Sequence, residues 1–200
     1  MGPSHRPATA CPTTAFVAMT PPVDVPLWLL IGLPGSGKST WASHFNQSAP
    51  PLAIISTDQI RAQIFGNAAT QGPWLQIWHR VTEQLRATAE QTRQGHISGA
   101  IYDATNGQRQ GRCTVIQAAQ AAGFTRLLAV WLDAPTALCM HRNGQRSRQV
   151  PTDVLETMAR QLAGAPPHCD EGFDALYRLQ FPGEVSATTA VPPSLINTRR

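Results

Sequence analysis

The segment GLPGSGKS at residues 32–39 constrains this chain more than any other feature of its sequence. It lies between an apolar run and a stretch with helical periodicity, and its glycines leave room for a backbone that folds closely around an anion. Successive N–H groups at the start of a helix bind phosphate in this arrangement, which is called a P-loop. An ordinary glycine-rich turn is the alternative, and the complete pattern argues against it. The segment therefore predicts nucleotide binding.

Two residues of this loop carry the predicted chemistry. Lys38 is the only lysine in the chain, and every other basic side chain of the Lys/Arg type is an arginine. An arginine-biased composition explains why other lysines are missing, but it does not explain why Lys38 is present. Its compact ammonium group can reach the β- and γ-phosphates of ATP. The Ser39 hydroxyl is predicted to ligate Mg²⁺. The other predicted nucleotide-binding residues of the loop are Gly32, Pro34, Gly35, Ser36, Gly37 and Thr40.

Short apolar runs alternate with longer helical patterns over residues 25–182. Strands are predicted at 26–31, 52–55, 99–102, 125–132 and 177–181, and helices at 38–46, 57–65, 74–93, 109–122, 135–141 and 152–162. Such alternation is typical of βαβ units. It predicts an α/β fold of the P-loop NTPase type, with a parallel sheet of about five strands and helices on both faces.

Length and composition favour one domain, at residues 25–182, in a compact globular protein. Residues 1–24, rich in Pro, Thr and Ala, are expected to be a flexible leader in which Met19 is an alternative to Met1 as the start. Residues 183–200 are expected to be a flexible tail, with 194–197 as a short edge pairing. The net charge of +4 favours anionic partners without selecting one.

The four cysteines are scattered, with no metal-ligand spacing, and predict reduced thiols. We find neither an apolar run of about 20 residues nor a secretory signal, so a cytoplasmic location and no membrane partner are expected.

An acidic residue follows the second predicted strand, in the segment ISTDQIR. Asp58 would lie at the carboxyl end of that strand, where open α/β sheets form their ligand crevice, and could accept the proton of an attacking hydroxyl. Arg61, one helical turn later, could hold a phosphate of the acceptor. The alternative is that Asp58 is favoured by the helix dipole and Arg61 is solvent-exposed. The residues alone give the two interpretations equal weight.

The third strand ends in YDATN, which brings further polar groups to the same edge. Asp103 could hold Mg²⁺ through water or orient the acceptor, and Asn106 is a candidate for acceptor binding. Capping of the next helix by Thr105 and Asn106 is the favoured alternative.

The segment 142–148, with three arginines and a glycine, is predicted to be a mobile lid. On closure its arginines could stabilise charge on the transferred phosphoryl group and exclude water. Ordinary surface arginines are the alternative. Trp74 and Trp78 share a helix face and could stack an acceptor base, although core packing is the favoured interpretation.

Together, GLPGSGKSTWA, ISTDQIR, YDATN and DAPTALCMHRNGQRSRQVPTDVLETM resemble the 5′-hydroxyl polynucleotide kinase branch of the P-loop kinases, over residues 27–162. The resemblance implies that Asp58 is the general base, that Arg61 contacts the acceptor phosphate and that Arg142 and Arg146 contact the donor. This chain has Gln59 where the family pattern has a second acid, and an extra residue between Asp103 and Thr105.

The predicted function is ATP- and Mg²⁺-dependent transfer of a phosphoryl group to a hydroxyl, with the 5′ end of DNA or RNA as the leading acceptor. A kinase for a nucleoside, sugar or antibiotic is one alternative, and a non-catalytic ATP-binding regulatory module is another. No obligate protein partner is inferred.

Overall fold

The computed structural model describes residues 23–47, 51–68, 70, 72–146, 148–181 and 185–187. The strands are β1 (Pro26–Ile31), β2 (Ala53–Ser56), β3 (Ala100–Asp103), β4 (Arg126–Asp133), β5 (Ala175–Gln180) and β6 (Val185–Ala187). The helices are α1 (Lys38–Phe45), α2 (Thr57–Phe65), α3 (Trp74–Arg93), α4 (Arg109–Ala122), α5 (Thr136–Gly144) and α6 (Thr152–Gly164), with a 3-10 turn at Cys169–Glu171.

The strands form one sheet in the order β2-β3-β1-β4-β5-β6. The first five are parallel, and β6 pairs antiparallel with β5. The predicted parallel sheet of about five strands is therefore confirmed. Strands β2 and β3 lie on one side of β1 within the sheet, and β4 lies on its other side. The connections therefore diverge after β1, and a crevice opens at its carboxyl end.

The central strand β1 is almost entirely apolar because helices cover both faces of the sheet. Leu27, Leu29 and Ile31 belong to one buried cluster with residues of α2 to α6, whereas Trp28 and Leu30 belong to a second cluster under α1. The prediction of helices on both faces is confirmed. No helix among the described residues is both long and apolar enough to cross a membrane.

Besides shifts of one or two residues at several element ends, two larger differences from the sequence-based expectation occur, at the end of α5 and at β6. Helix α5 continues to Gly144, so the predicted lid loop begins later than Arg142. Buried Asn143 explains this: its side-chain amide donates to the Val150 carbonyl at 2.8 Å and accepts from the Val150 N–H at 3.0 Å, which holds the last helical turn. Strand β6 lies in the segment expected to be a flexible tail, because the free edge of β5 offers unpaired backbone groups. Residues 1–22 of the predicted leader (1–24) and the edge pairing at 194–197 lie outside the described residues.

Candidate active site

One large cleft opens where the parallel strands end, with a volume of about 1590 Å³. Its walls come from the P-loop, the start of α2, the β3–α4 loop, the end of α5 and one face of α6. The predicted site residues that line it are Pro34, Gly35, Gly37, Lys38, Ser39, Thr40, Asp58, Arg61, Asp103, Asn106, Arg142 and Arg146. Gly32 and Ser36 are buried within the loop itself and do not line the cleft.

The P-loop is packed so tightly that two of its glycines have no room for a side chain. A Cβ on Gly35 would lie 2.5 Å from the carbonyl oxygen of Cys139, and one on Gly32 would lie 2.8 Å from that of Leu132. Both glycines also have positive φ values, which favour glycine. Ser36 Oγ is buried here without a hydrogen-bond partner in the described part of the chain. A tight loop of this kind, with a buried unpaired hydroxyl, fits the phosphate groups of a nucleotide.

Lys38 lies in the first turn of α1 and is only 9% exposed. Its Nζ donates to the carbonyl oxygens of Gly32 and Leu33, both at 2.9 Å. Burial lowers the pKa of this ammonium group to about 8, although the nearby carboxylate of Asp103 partly opposes the shift. Phosphate groups would add further negative charge beside this buried ammonium.

Ser39 and Asp103 meet because β1 and β3 are neighbours and both end at the cleft. The Ser39 hydroxyl donates to Asp103 Oδ2 at 2.8 Å. Described residues include no cluster of three or more His, Cys, Asp or Glu side chains that could hold a metal alone. Mg²⁺ commonly needs only one or two carboxylates in addition to water and substrate phosphates, so this oxygen pair fits Mg²⁺.

Asp58 lies in the first turn of α2, which Ser56 caps by accepting the N–H of Gln59 at 3.4 Å. Its two carboxylate oxygens contact two guanidinium groups: Oδ1 accepts from Arg61 at 2.9 Å, and Oδ2 lies 2.7 Å from Arg148. Asp58 is about half exposed. The acid is thus accessible from the cleft and is held by arginines from α2 and from the segment after α5.

Arg61 combines a charged group with an unused donor. Its side chain is 16% exposed, and its Nε is buried without a hydrogen-bond partner among the residues that the structure describes. Arg61 lines the cleft, where its guanidinium can contact an anionic ligand.

Asn106 lines the cleft and also makes a contact that the sequence did not predict. Its side-chain amide donates to the Leu30 carbonyl at 2.7 Å, and it is the one described non-glycine residue with positive φ. It ties the β3–α4 loop to β1. The favoured alternative, capping of α4, is wrong for both Thr105 and Asn106, because the N-cap residue is Gln108 and no side chain caps this helix.

The segment after α5 brings arginines to the cleft. The Arg142 guanidinium lies 5.4 Å from the ring centre of Phe181, whereas Arg146 is exposed and close enough to lower the pKa of Lys38 by repulsion. Arg148 was predicted only as a member of the lid. Its contact with Asp58 has no signal in the sequence because the two residues are 90 positions apart.

A buried ion pair near the site was also missed. Arg112 is fully buried and donates from Nε and Nη2 to the two carboxylate oxygens of Glu171, each at 2.6 Å. It also donates to the carbonyls of Asn106, Gly107 and Ala165. The pair therefore joins the β3–α4 loop to the end of α6. A signal existed, since Arg112 interrupts the buried stripe of α4 that otherwise holds apolar residues.

The sheet and the phosphate loop define a P-loop kinase-like domain. Residues 27–165 match the family model described as an AAA domain (AAA_33), and the chain belongs to this family. No curated protein sequence matches the chain. The resemblance to P-loop kinases is confirmed at the level of family and fold.

Several solved structures are similar to this chain. A chain of the Pnkp1/Rnl/Hen1 RNA repair complex has a TM-score of 0.60 at 21% identity, over 74% of this chain and 47% of that one. A sugar kinase from Janibacter sp. HTCC2649 has a TM-score of 0.52 at 18% identity, over 78% and 85%. A gluconokinase from Sinorhizobium meliloti has a TM-score of 0.50 at 16% identity, over 79% and 82%. This chain spans about half the length of the first. At these identities the likeness establishes the fold alone.

Proposed function

We propose that this protein is a kinase that transfers the γ-phosphoryl group of ATP to a hydroxyl acceptor. The observation that carries the proposal is the position of Asp58 in the same cleft as Lys38 and the Ser39–Asp103 pair. A P-loop alone indicates nucleotide binding. A carboxylate facing the same space adds a group that can activate a hydroxyl.

The donor half of the cleft would bind the triphosphate. Backbone N–H groups of the loop and the Lys38 ammonium bind the phosphate oxygens, and Ser39 with Asp103 holds Mg²⁺. When bound, Mg²⁺ neutralises charge that develops on the β- and γ-phosphate oxygens. Arg142 and Arg146 would lie against the same phosphates and stabilise the transferred group.

The acceptor half would supply the nucleophile. Asp58 takes the proton of the acceptor hydroxyl while the oxygen of that hydroxyl forms a bond to the γ-phosphorus. The bond between the γ-phosphorus and the oxygen that bridges it to the β-phosphate breaks, which releases ADP. Opening one of the two arginine contacts of Asp58 would leave a carboxylate oxygen free for the acceptor hydroxyl. The contact with Arg148 is the one that would open, since Arg148 lies in the predicted lid and phosphates would attract it.

We keep the 5′-hydroxyl of DNA or RNA as the leading acceptor. The cluster of arginines around Asp58 suits a phosphodiester, and one similar structure comes from an RNA repair complex. A small-molecule hydroxyl is the main alternative, because a gluconokinase and a sugar kinase have similar folds. Reduced cysteines and the use of ATP accord with a cytoplasmic location, which belongs to the same proposal.

Labelled ATP with Mg²⁺ and a panel of 5′-OH DNA, 5′-OH RNA, nucleosides and sugars tests the proposal. Replacing Asp58 with Asn should lower transfer to the accepted substrate by about 10²–10⁴-fold while ATP affinity changes little. Asp153→Asn is the matched control, because Asp153 is an exposed acid in the first turn of α6 and does not line the cleft.

Undiminished transfer by Asp58→Asn would exclude Asp58 as the base. ATP binding without transfer to any acceptor would favour the regulatory module instead.

A further inference from the structure

Helix α3 begins with a pair of stacked tryptophans. The ring centres of Trp74 and Trp78 are 6.2 Å apart and their planes differ by 23°. Trp78 is half-buried and packs against the main core cluster, whereas Trp74 is 54% exposed. The expectation that both rings pack in the core is therefore wrong for Trp74. One ring anchors the pair, and the other faces solvent.

This pair lines the same cleft as Asp58 and Arg61. Helix α6 and the segment before it also contribute apolar side chains to this cleft, among them the partly exposed Val154 and the half-buried Met158. The cleft is larger than the 300–1000 Å³ usual for a single small ligand, so it has room for a donor and a second molecule. The cleft thus brings aromatic and apolar side chains together with the guanidinium of Arg61.

The strand order separates the two halves of the cleft. Asp58 and the tryptophans follow β2, at one end of the parallel strands, whereas Phe181, which Arg142 contacts, follows β5 at the other end. The phosphoryl group must pass from the P-loop towards Asp58. The tryptophans therefore lie on the side of the acceptor, away from the residues that would contact the rest of ATP.

We propose that Trp74 and Trp78 form an aromatic shelf that stacks a nucleobase of the acceptor while Arg61 binds the adjacent phosphodiester. This inference rests on the proposed function and assigns its acceptor to the nucleic-acid class. Every base has a π-face, so the shelf would select for the presence of a base and not for its identity. Charge complementarity supports the same occupant, because the Arg61 guanidinium lines the same cleft as the tryptophans and suits the phosphate that is joined to a nucleoside.

A pair of acceptors tests the shelf: a 5′-OH trinucleotide, and the same molecule with an abasic 5′-terminal residue. Wild-type protein should prefer the intact acceptor by about 10-fold in kcat/KM, which is within the range that alanine substitution gives for base–aromatic stacking. Trp74→Ala should remove this preference and leave the KM for ATP unchanged, and Trp74→Phe should restore most of it. Leu75→Ala is the matched control, since Leu75 is 76% exposed and does not line the cleft.

Binding of the same trinucleotides, followed by fluorescence anisotropy of a 3′-labelled probe, separates this inference from the proposed function. Base-dependent binding that Trp74→Ala abolishes, without phosphoryl transfer by the wild-type protein, would keep the shelf and reject the kinase. Equal transfer to intact and abasic acceptors would reject the shelf and keep the kinase. A raised KM for ATP in Trp74→Ala would reject the shelf by placing the donor adenine on it. Absence of both transfer and binding would reject both proposals.

Discussion

The Lys38 ammonium group is almost inaccessible to water, and within the described part of the chain it donates hydrogen bonds only to two backbone carbonyls. Its pKa of about 8 lies below the ordinary value of 10.5, so the group is substantially neutral at alkaline pH. ATP phosphates favour the charged form and would raise the pKa on binding. The free protein must then take up a proton to bind ATP above pH 8.

We expect ATP affinity to fall as pH rises above 8, by up to about tenfold per pH unit until the pKa of the complex is reached. Titration calorimetry in buffers of different ionisation enthalpy would detect the accompanying proton uptake. Lys38→Met should bind ATP weakly and without this uptake. An affinity that stays constant between pH 8 and 10 would show that Lys38 does not change its protonation state.

Arg112 and Glu171 also act at the scale of single residues. Each is almost completely buried, so replacing one leaves the other charged and unpaired. Arg112→Ala should lower the free energy of unfolding by about 3–5 kcal/mol. Urea denaturation measures this loss, and the exposed Arg80–Glu83 pair provides the control, since Arg80→Ala should change stability far less. Similar losses of unfolding free energy in Arg112→Ala and Arg80→Ala would mean that burial does not determine how much an ion pair contributes to stability.

At the scale of elements, the segment from the end of α5 to the start of α6 is the part expected to move. Asn143 holds its two ends together through Val150, so the chain between them forms a closed loop that carries Arg146 and Arg148. Such a loop can shift as a unit while α5 and α6 stay packed. Its arginines line the same cleft as the P-loop.

Arg146→Ala should lower the turnover number by about 10³-fold, the lower end of what a charge-stabilising arginine contributes to phosphoryl transfer. Stability should hardly change, because Arg146 is exposed. Single-turnover transfer from labelled ATP measures the effect. Arg160→Ala, an exposed arginine of α6 that does not line the cleft, serves as the control. Equal rates in the two variants would remove Arg146 from the mechanism.

The elements differ in how far their sequences predict them. The strand β1 and the helices α2, α3 and α4 were predicted with their observed limits, because apolar periodicity and end signals agree there. The end of α5 was missed because a side-chain contact with Val150 sustains its last turn. Strand β6 was missed because it depends on an edge supplied by β5.

For the molecule as a whole, the topology explains why residues from distant segments share one cleft. In parallel strands the carboxyl ends lie at the same edge of the sheet, so acids and loops that follow β1, β2 and β3 meet there. Sequence order alone therefore predicted which segments would converge. It could not predict the arginine contacts of Asp58, the partner of Arg112 or the exposure of Trp74, because these depend on how segments far apart in the chain pack.

The composition of the chain gives the P-loop an unusual experimental property. Since Lys38 is the only lysine, isotopic labelling of lysine would place a single side-chain ammonium signal in the NMR spectrum. That signal would report the protonation, solvent exchange and ligand contacts of the phosphate site without assignment of any other resonance. The protein thus contains its own spectroscopic probe at the position where nucleotide binding is expected.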